Sequence, residues 1–210
     1  MARSPITRLS RSLQRKSGKR LPRSTTLVVC EGETERAYFK AIRHHYRLSN
    51  AEIVIAETNQ DSAPINVVTS AKQKHDRAGG YDHIYCVFDR NGHESFERAR
   101  EMIRSLARAR KNALPIQEIV SIPCFEVWIL LHFERTDTSF GSCHEVIQRV
   151  RSHLPHYEKT DEEISKNLIN HLDTALDNAH WLAGRGESNL YSPYTTVQTL
   201  LRHLQSVSSQ

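Results

Sequence analysis

No run of about 18 apolar residues occurs in this 210-residue chain, so no membrane-spanning helix is expected. The first residues lack the apolar stretch that follows the charged start of a secretory signal, and the expectation is a soluble, cytoplasmic protein. No Cys-x-x-Cys pair is present. Cys30, Cys86, Cys124 and Cys143 are scattered, three of them in or beside apolar segments, and they read as reduced core thiols rather than a zinc site or a disulfide framework. No Gly-rich loop ending in Lys-Ser or Lys-Thr occurs, which argues against nucleotide hydrolysis by the chain itself. Acidic residues are missing from residues 1 to 24, where Arg3, Arg8, Arg11, Arg15, Lys16, Lys19, Arg20 and Arg23 stand.

That asymmetry accounts for the formal charge of +5, since the rest of the chain has 21 basic against 24 acidic residues. A basic arm with few large apolar residues cannot bury enough surface to fold alone. Its charge suits a polyanion, whose counterions it would release; a merely solvated tail is the alternative.

From residue 25 onward the pattern alternates. Residues 25–30, 51–56, 84–88 and 116–122 are short apolar or β-branched runs expected as strands. Between them, residues 34–45, 65–75 and 94–110 place apolar side chains at three- and four-residue spacing, as helices do. Helices are also expected over 124–133, 143–154, 160–182 and 194–204, with Ser192-Pro193-Tyr194-Thr195-Thr196 as the entry to the last. The expected fold is α/β: a mostly parallel four-stranded sheet flanked by helices, with an α-helical C-terminal extension. The divisions are residues 1–24 as the arm, 25–135 as the α/β core, and 136–210 as helices packed on it.

In a parallel sheet, functional groups gather at the carboxyl ends of the strands. Glu31 directly follows the first strand, Asp89 the third, and Glu126 lies just beyond the fourth. Glu31 and Glu35, four apart, share a face if a helix starts near Glu33. Acidic residues in a helix's first turn also complement its dipole with no metal at all. Three strand ends delivering carboxylates to one edge favour a hard cation, Mg²⁺ or Mn²⁺.

Three stretches then resemble a known family: Leu27-Val28-Val29-Cys30-Glu31-Gly32-Glu33-Thr34-Glu35, Val87-Phe88-Asp89-Arg90-Asn91-Gly92-His93, and Pro123-Cys124-Phe125-Glu126-Val127-Trp128-Ile129-Leu130-Leu131-His132-Phe133. Their order and spacing are similar to the RloB-like family and, more broadly, to the Toprim superfamily, including its OLD-class nucleases. The resemblance implies a Toprim-like fold and metal-dependent cleavage of DNA or RNA, in antiphage defence or beside restriction-modification systems, with a separate ATPase or restriction-modification partner and room for an oligomer.

It further implies Glu31, Glu35, Asp89, Asn91 and Glu126 as metal ligands, with Lys159 as the late catalytic lysine beside Glu31, Glu35, Asp89 and Glu126. Asn91 stands where the second Asp of an Asp-x-Asp pair is usual. A neutral amide there weakens attraction for a divalent metal, which keeps open a non-hydrolytic nucleic-acid-binding or sensing module with a degenerate site. A small phosphatase-like enzyme is a third reading, without a recognisable nucleophile motif. Arg90, His93 and Ser121 are substrate-binding candidates, although Ser121 is better suited to capping a helix than to binding phosphate. His132 fits a hydrogen-bonded core position better than a ligand. Gly184-Arg185-Gly186-Glu187-Ser188-Asn189 reads as a polar loop without catalytic role.

Overall fold

The computed structural model describes residues 24–56, 63–159, 161–185 and 192–208; residues 1–23 of the basic arm and 186–189 of the polar loop lie outside them. Five strands form one sheet: β1 Thr26–Cys30, β2 Ala51–Ile55, β3 His83–Asp89, β4 Ile116–Ile122 and β5 Tyr194–Thr195, in the order β2-β1-β3-β4-β5. The first four are parallel, and β5 runs antiparallel to β4. Every residue of β1 is buried, as a central strand covered on both faces requires.

The pleat sends alternate side chains to two apolar layers. Val28, Cys30, Tyr85 and Val87 face one, and Leu27, Val29, Ile84, Cys86 and Phe88 face the other. Helices α1 (Glu33–His45), α2 (Pro64–Ala78) and α3 (Phe96–Ala107) follow β1, β2 and β3. α2 and α3 close the second layer through Val67, Val68, Phe96 and Ile103. α1 covers the first through Tyr38, Phe39 and Ile42, together with α4 (Glu126–Leu130), α5 (Cys143–Arg151), α6 (Glu162–Leu168), α7 (Leu172–Ala183) and α8 (Val197–Ser208). Val146, Leu168, Leu172 and Leu201 belong to the same apolar cluster as Val28, so the C-terminal helices share the sheet's own core.

The structure changes the expected fold in four places. The sheet has five strands rather than four: Tyr194 and Thr195, expected in a helix, pair with Ile122 and Ser121. The Thr196 N–H donates to the Val120 carbonyl (2.9 Å), and its hydroxyl accepts from the Val120 N–H (2.9 Å), so β4 gains partners on both sides. The helix expected over 160–182 is broken into α6, a 3₁₀ turn at Ile169–His171, and α7. α4 is shorter than 124–133, because its flanks make tighter turns, Val127 N to Cys124 O and His132 N to Ile129 O.

The fourth change concerns the thiols. Cys124 and Cys143 are joined as a disulfide, with Cα atoms 5.5 Å apart, and only Cys30 and Cys86 are free buried cysteines. The expectation of four reduced thiols fails because the pairing is made by the chain folding α5 back against α4, and nothing in the linear spacing announces that return. Among the described residues, no helix is long and apolar enough to cross a membrane.

Candidate functional site

At the carboxyl ends of β1 and β3 the sheet opens into a pocket of about 340 Å³. Glu31 reaches it from the residue after β1, Glu35 from the first turn of α1, Asp89 from the last residue of β3, and Glu126 from the start of α4. Glu33, Thr34, Asn91, His93 and Lys159 complete the polar lining. Three elements distant in sequence therefore deliver carboxylates to one edge, as strand-end placement demands.

Each carboxylate is held by a backbone donor or a local constraint. Glu31 Oε2 accepts from the Asp89 N–H (3.1 Å), which ties the end of β1 to the end of β3. Asp89 Oδ2 accepts from the Phe125 N–H (3.0 Å), which ties β3 to the turn before α4. Gly32 caps α1 with extended backbone, so chain direction alone does not call for glycine there. Close approach does: a Cβ at Gly32 would stand 3.0 Å from Glu35 Oε2. Asn91 has φ of 29° and Gly92 of 68°, a left-handed turn that Asn, Asp and Gly adopt most readily.

Burial governs the protonation of this group. Glu35 is 6% exposed and its carboxyl is raised to about 7, by desolvation first and then by the negative charges of Glu126 and Glu31, against an opposing pull from its own backbone N–H. Asp89 is half-buried as a residue, but its carboxyl is enclosed, and desolvation followed by the charges of Glu35, Glu126 and Glu31 holds it well above the usual range. Buried carboxylates that repel each other take up protons unless a cation relieves them. The oxygen-rich donor set fits a hard divalent ion such as Mg²⁺ or Mn²⁺.

Glu126 is 1% exposed and the most heavily engaged. Its Oε1 lies 3.1 Å from Lys159 Nζ and accepts from the Tyr157 hydroxyl at 3.3 Å, and its Oε2 lies 3.3 Å from Cys143 Sγ. Burial and the Glu126 charge push the Tyr157 phenol up, so it stays a donor. Ligand-type atoms of Cys124, Glu126 and Cys143 all lie within 4.8 Å of one another. Among the described residues no three of Glu31, Glu35, Asp89 and Glu126 close to that distance; they ring the pocket more widely.

The remaining candidates are distributed differently. His93 lines the pocket, and its Nδ1 lies 3.1 Å from the Ser95 hydroxyl and 3.4 Å from the Ser95 N–H. Arg90 is exposed and outside the lining. Ser121 is 2% exposed and its hydroxyl is bonded to that of Thr195 (3.1 Å), across the β4–β5 pair rather than toward the pocket. His132, 1% exposed, bridges the Tyr38 hydroxyl (3.2 Å) and the Trp128 carbonyl (3.0 Å) as a core residue. Sequence reasoning missed Tyr157 and the two sulfurs. Tyr157 stands two residues before Lys159, a proximity that was a usable signal, whereas the sulfurs offered none.

The family model described as RloB-like protein matches residues 26–204, most of the chain and all of the pocket. No curated protein and no solved structure matches it.

Proposed function

The chain belongs to the RloB-like family, and from that premise we propose that it is a Mg²⁺- or Mn²⁺-dependent nuclease of the Toprim kind, cleaving phosphodiesters of DNA or RNA in bacterial antiphage defence or beside a restriction-modification system. The observation that carries this reading is the convergence of Glu31, Glu35, Asp89 and Glu126, with Lys159, on one polar pocket. In this reading the four carboxylates and the Asn91 amide oxygen would surround the metal, with water completing a shell that these side chains do not close by themselves. Bound there, a divalent cation would polarise a phosphoryl oxygen and lower the pKa of a water.

The chain's own residues do the rest. The backbone N–H groups of Asp89 and Phe125 orient Glu31 and Asp89 before any ion arrives, so little reorganisation accompanies binding. In the metal-free pocket Glu35, raised to about 7, holds a proton that it would release as a cation arrives. Lys159 keeps 53% of its side-chain surface and reaches the pocket from the solvent side, where its ammonium would neutralise charge developing on a leaving oxygen. His93 lines the same pocket, where its imidazole would offer a hydrogen bond to a phosphate.

The test is metal-dependent cleavage of DNA and RNA substrates by the wild type and by Glu31→Ala. Cleavage that depends on Mn²⁺ or Mg²⁺ and falls by about 10²-fold or more in the variant is expected; equal activity in both would overturn the reading. Asn91 favours the second reading, a nucleic-acid-binding or sensing module without turnover. Asn91→Asp suits the same left-handed turn, so its effect reports on ligand charge rather than on folding. A large gain of activity from a nearly inert wild type would favour the binding module.

A further inference from the structure

The two sulfurs beside Glu126 belong to no step of the reaction above. Cys124 ends the turn after β4 and is 1% exposed, and Cys143 opens α5 at a half-buried position. Their ligand atoms and a Glu126 oxygen lie within 4.8 Å of one another, and Lys159 Nζ stands 3.8 Å from Cys143 Sγ. We infer that, once the Cys124–Cys143 bond is reduced, the two thiols and Glu126 form a site for a soft divalent cation, zinc first among them, and that filling it withdraws Glu126 from the acidic pocket. The site itself stands on these contacts; its effect on the pocket rests on the nuclease reading.

The redox step balances with a small-molecule thiol as reductant. Two equivalents transfer two electrons and two protons to the S–S bond, leave as their own disulfide, and free two cysteine thiols. Zinc then displaces both thiol protons to solvent. Thiolate is a soft donor that favours zinc over Mg²⁺ or Mn²⁺, so the two kinds of cation sort between the sulfur and oxygen sides of Glu126.

Geometry allows the change. Tetrahedral zinc with Zn–S near 2.3 Å needs sulfurs about 3.8 Å apart, a separation that side-chain rotation supplies between Cα atoms 5.5 Å apart. Charge also closes: two thiolates and Glu126 against a divalent ion leave one negative charge, and the Lys159 ammonium, already 3.1 Å from Glu126, offsets it. With the disulfide intact the sulfurs are poor ligands, and Glu126 stays with Lys159 and Tyr157 at the pocket edge. In a reducing compartment the dithiol form is favoured, and a disulfide there is characteristically a sensing or catalytic one.

Cobalt(II) is the probe, because thiolate ligation gives a sulfur-to-cobalt charge-transfer absorption that oxygen ligands do not. The full-length protein, reduced with a trialkylphosphine, is expected to show this absorption saturating at one equivalent and lost on adding zinc. Oxidised protein and Cys143→Ser, changed at a half-buried position, should lack it, while Glu31→Ala should keep it. Mn²⁺-dependent cleavage by the reduced wild type should fall by about tenfold or more with one equivalent of zinc, and that of Cys143→Ser should not. No absorption in the reduced wild type, or its persistence in Cys143→Ser, overturns the site. Absorption with zinc-indifferent cleavage overturns the withdrawal of Glu126. The cobalt signature without cleavage under any condition supports the sulfur site while the nuclease reading fails.

Discussion

At the scale of single residues, the enclosed carboxyl groups set the pH behaviour. Glu35 ionises near pH 4.5 when unfolded and about 7 when folded, so between those values the folded chain holds a proton that the unfolded chain has lost. Its contribution is neutral below about pH 4.5 and turns against the fold as pH rises toward 7. The metal-free protein should therefore be stabilised by Glu35→Gln at pH 8, by roughly 3 kcal/mol from the size of the shift, with little difference at pH 4. Chemical denaturation at the two pH values measures it, and equal midpoints for both proteins at pH 8 would remove the penalty from the account. For the same reason Mn²⁺ should bind more tightly as pH rises from 6 to 8, with proton release visible by calorimetry in buffers of different ionisation enthalpy.

At the scale of elements, the joint between α1 and α4 decides where Glu35 and Glu126 stand. Tyr38 of α1 meets Phe125, Trp128 and His132 edge-on, with ring centroids 5.6, 6.2 and 5.6 Å away. Packing of this kind contributes about 0.5–1.5 kcal/mol per pair beyond the area buried. Burial lowers His132 to about 4, so the imidazole is neutral in the fold while the unfolded chain protonates near 6.5. The sign is opposite to that of Glu35: a depressed base contributes stability above pH 6.5 that is lost as pH falls toward 4. His132→Gln, which keeps a hydrogen-bonding side chain without a titrating ring, should lose less stability than the wild type between pH 6.5 and 4.5, as thermal melts will register. Parallel losses would place the acid sensitivity elsewhere.

The same joint shows what the chain displays in one dimension and what it conceals. β1 and β3 are nearly continuous apolar runs with both faces covered, β4 opens with an exposed Gln117 and a half-buried Glu118, and the carboxylates at or just beyond the three strand ends needed only the strand-end rule to be found. β5 escaped because two residues have no period; it exists through Thr195 and Thr196 bonding to β4 across 74 to 76 positions. The 3₁₀ turn at Ile169–His171 escaped because apolar spacing continues through it. The contacts of Cys143 and Tyr157 with Glu126 arise only when α5 returns to α4, so no local pattern carries them.

At the scale of the whole molecule, charge is laid out along a path. α1 starts at the acidic pocket and runs about 20 Å to a basic end, where Lys40, Arg43, His44 and Arg47 line a broad hollow beyond it. Basic residues in a last turn offset the helix dipole, but exposed Lys40 and Arg47 also suit successive phosphates of a strand lying along α1. The double charge reversal Lys40→Glu with Arg47→Glu should weaken nucleic-acid binding at all sequences and reduce the salt slope by about two, with thermal stability little changed. Fluorescence anisotropy across a salt series reads both, and an unchanged slope would remove α1 from the path.

The position of β5 at the sheet's edge bears on how the molecule is made. A ribosome delivers Glu31, Asp89 and Glu126 long before Tyr157 and Lys159, and Tyr194 and Thr195 later still. A nascent chain holding the acidic residues thus waits for the lysine, and until β5 arrives it presents β4 as an unpaired border open to neighbouring chains. The two-residue strand then covers that border at Ser121 and Ile122, the end nearest the acidic pocket.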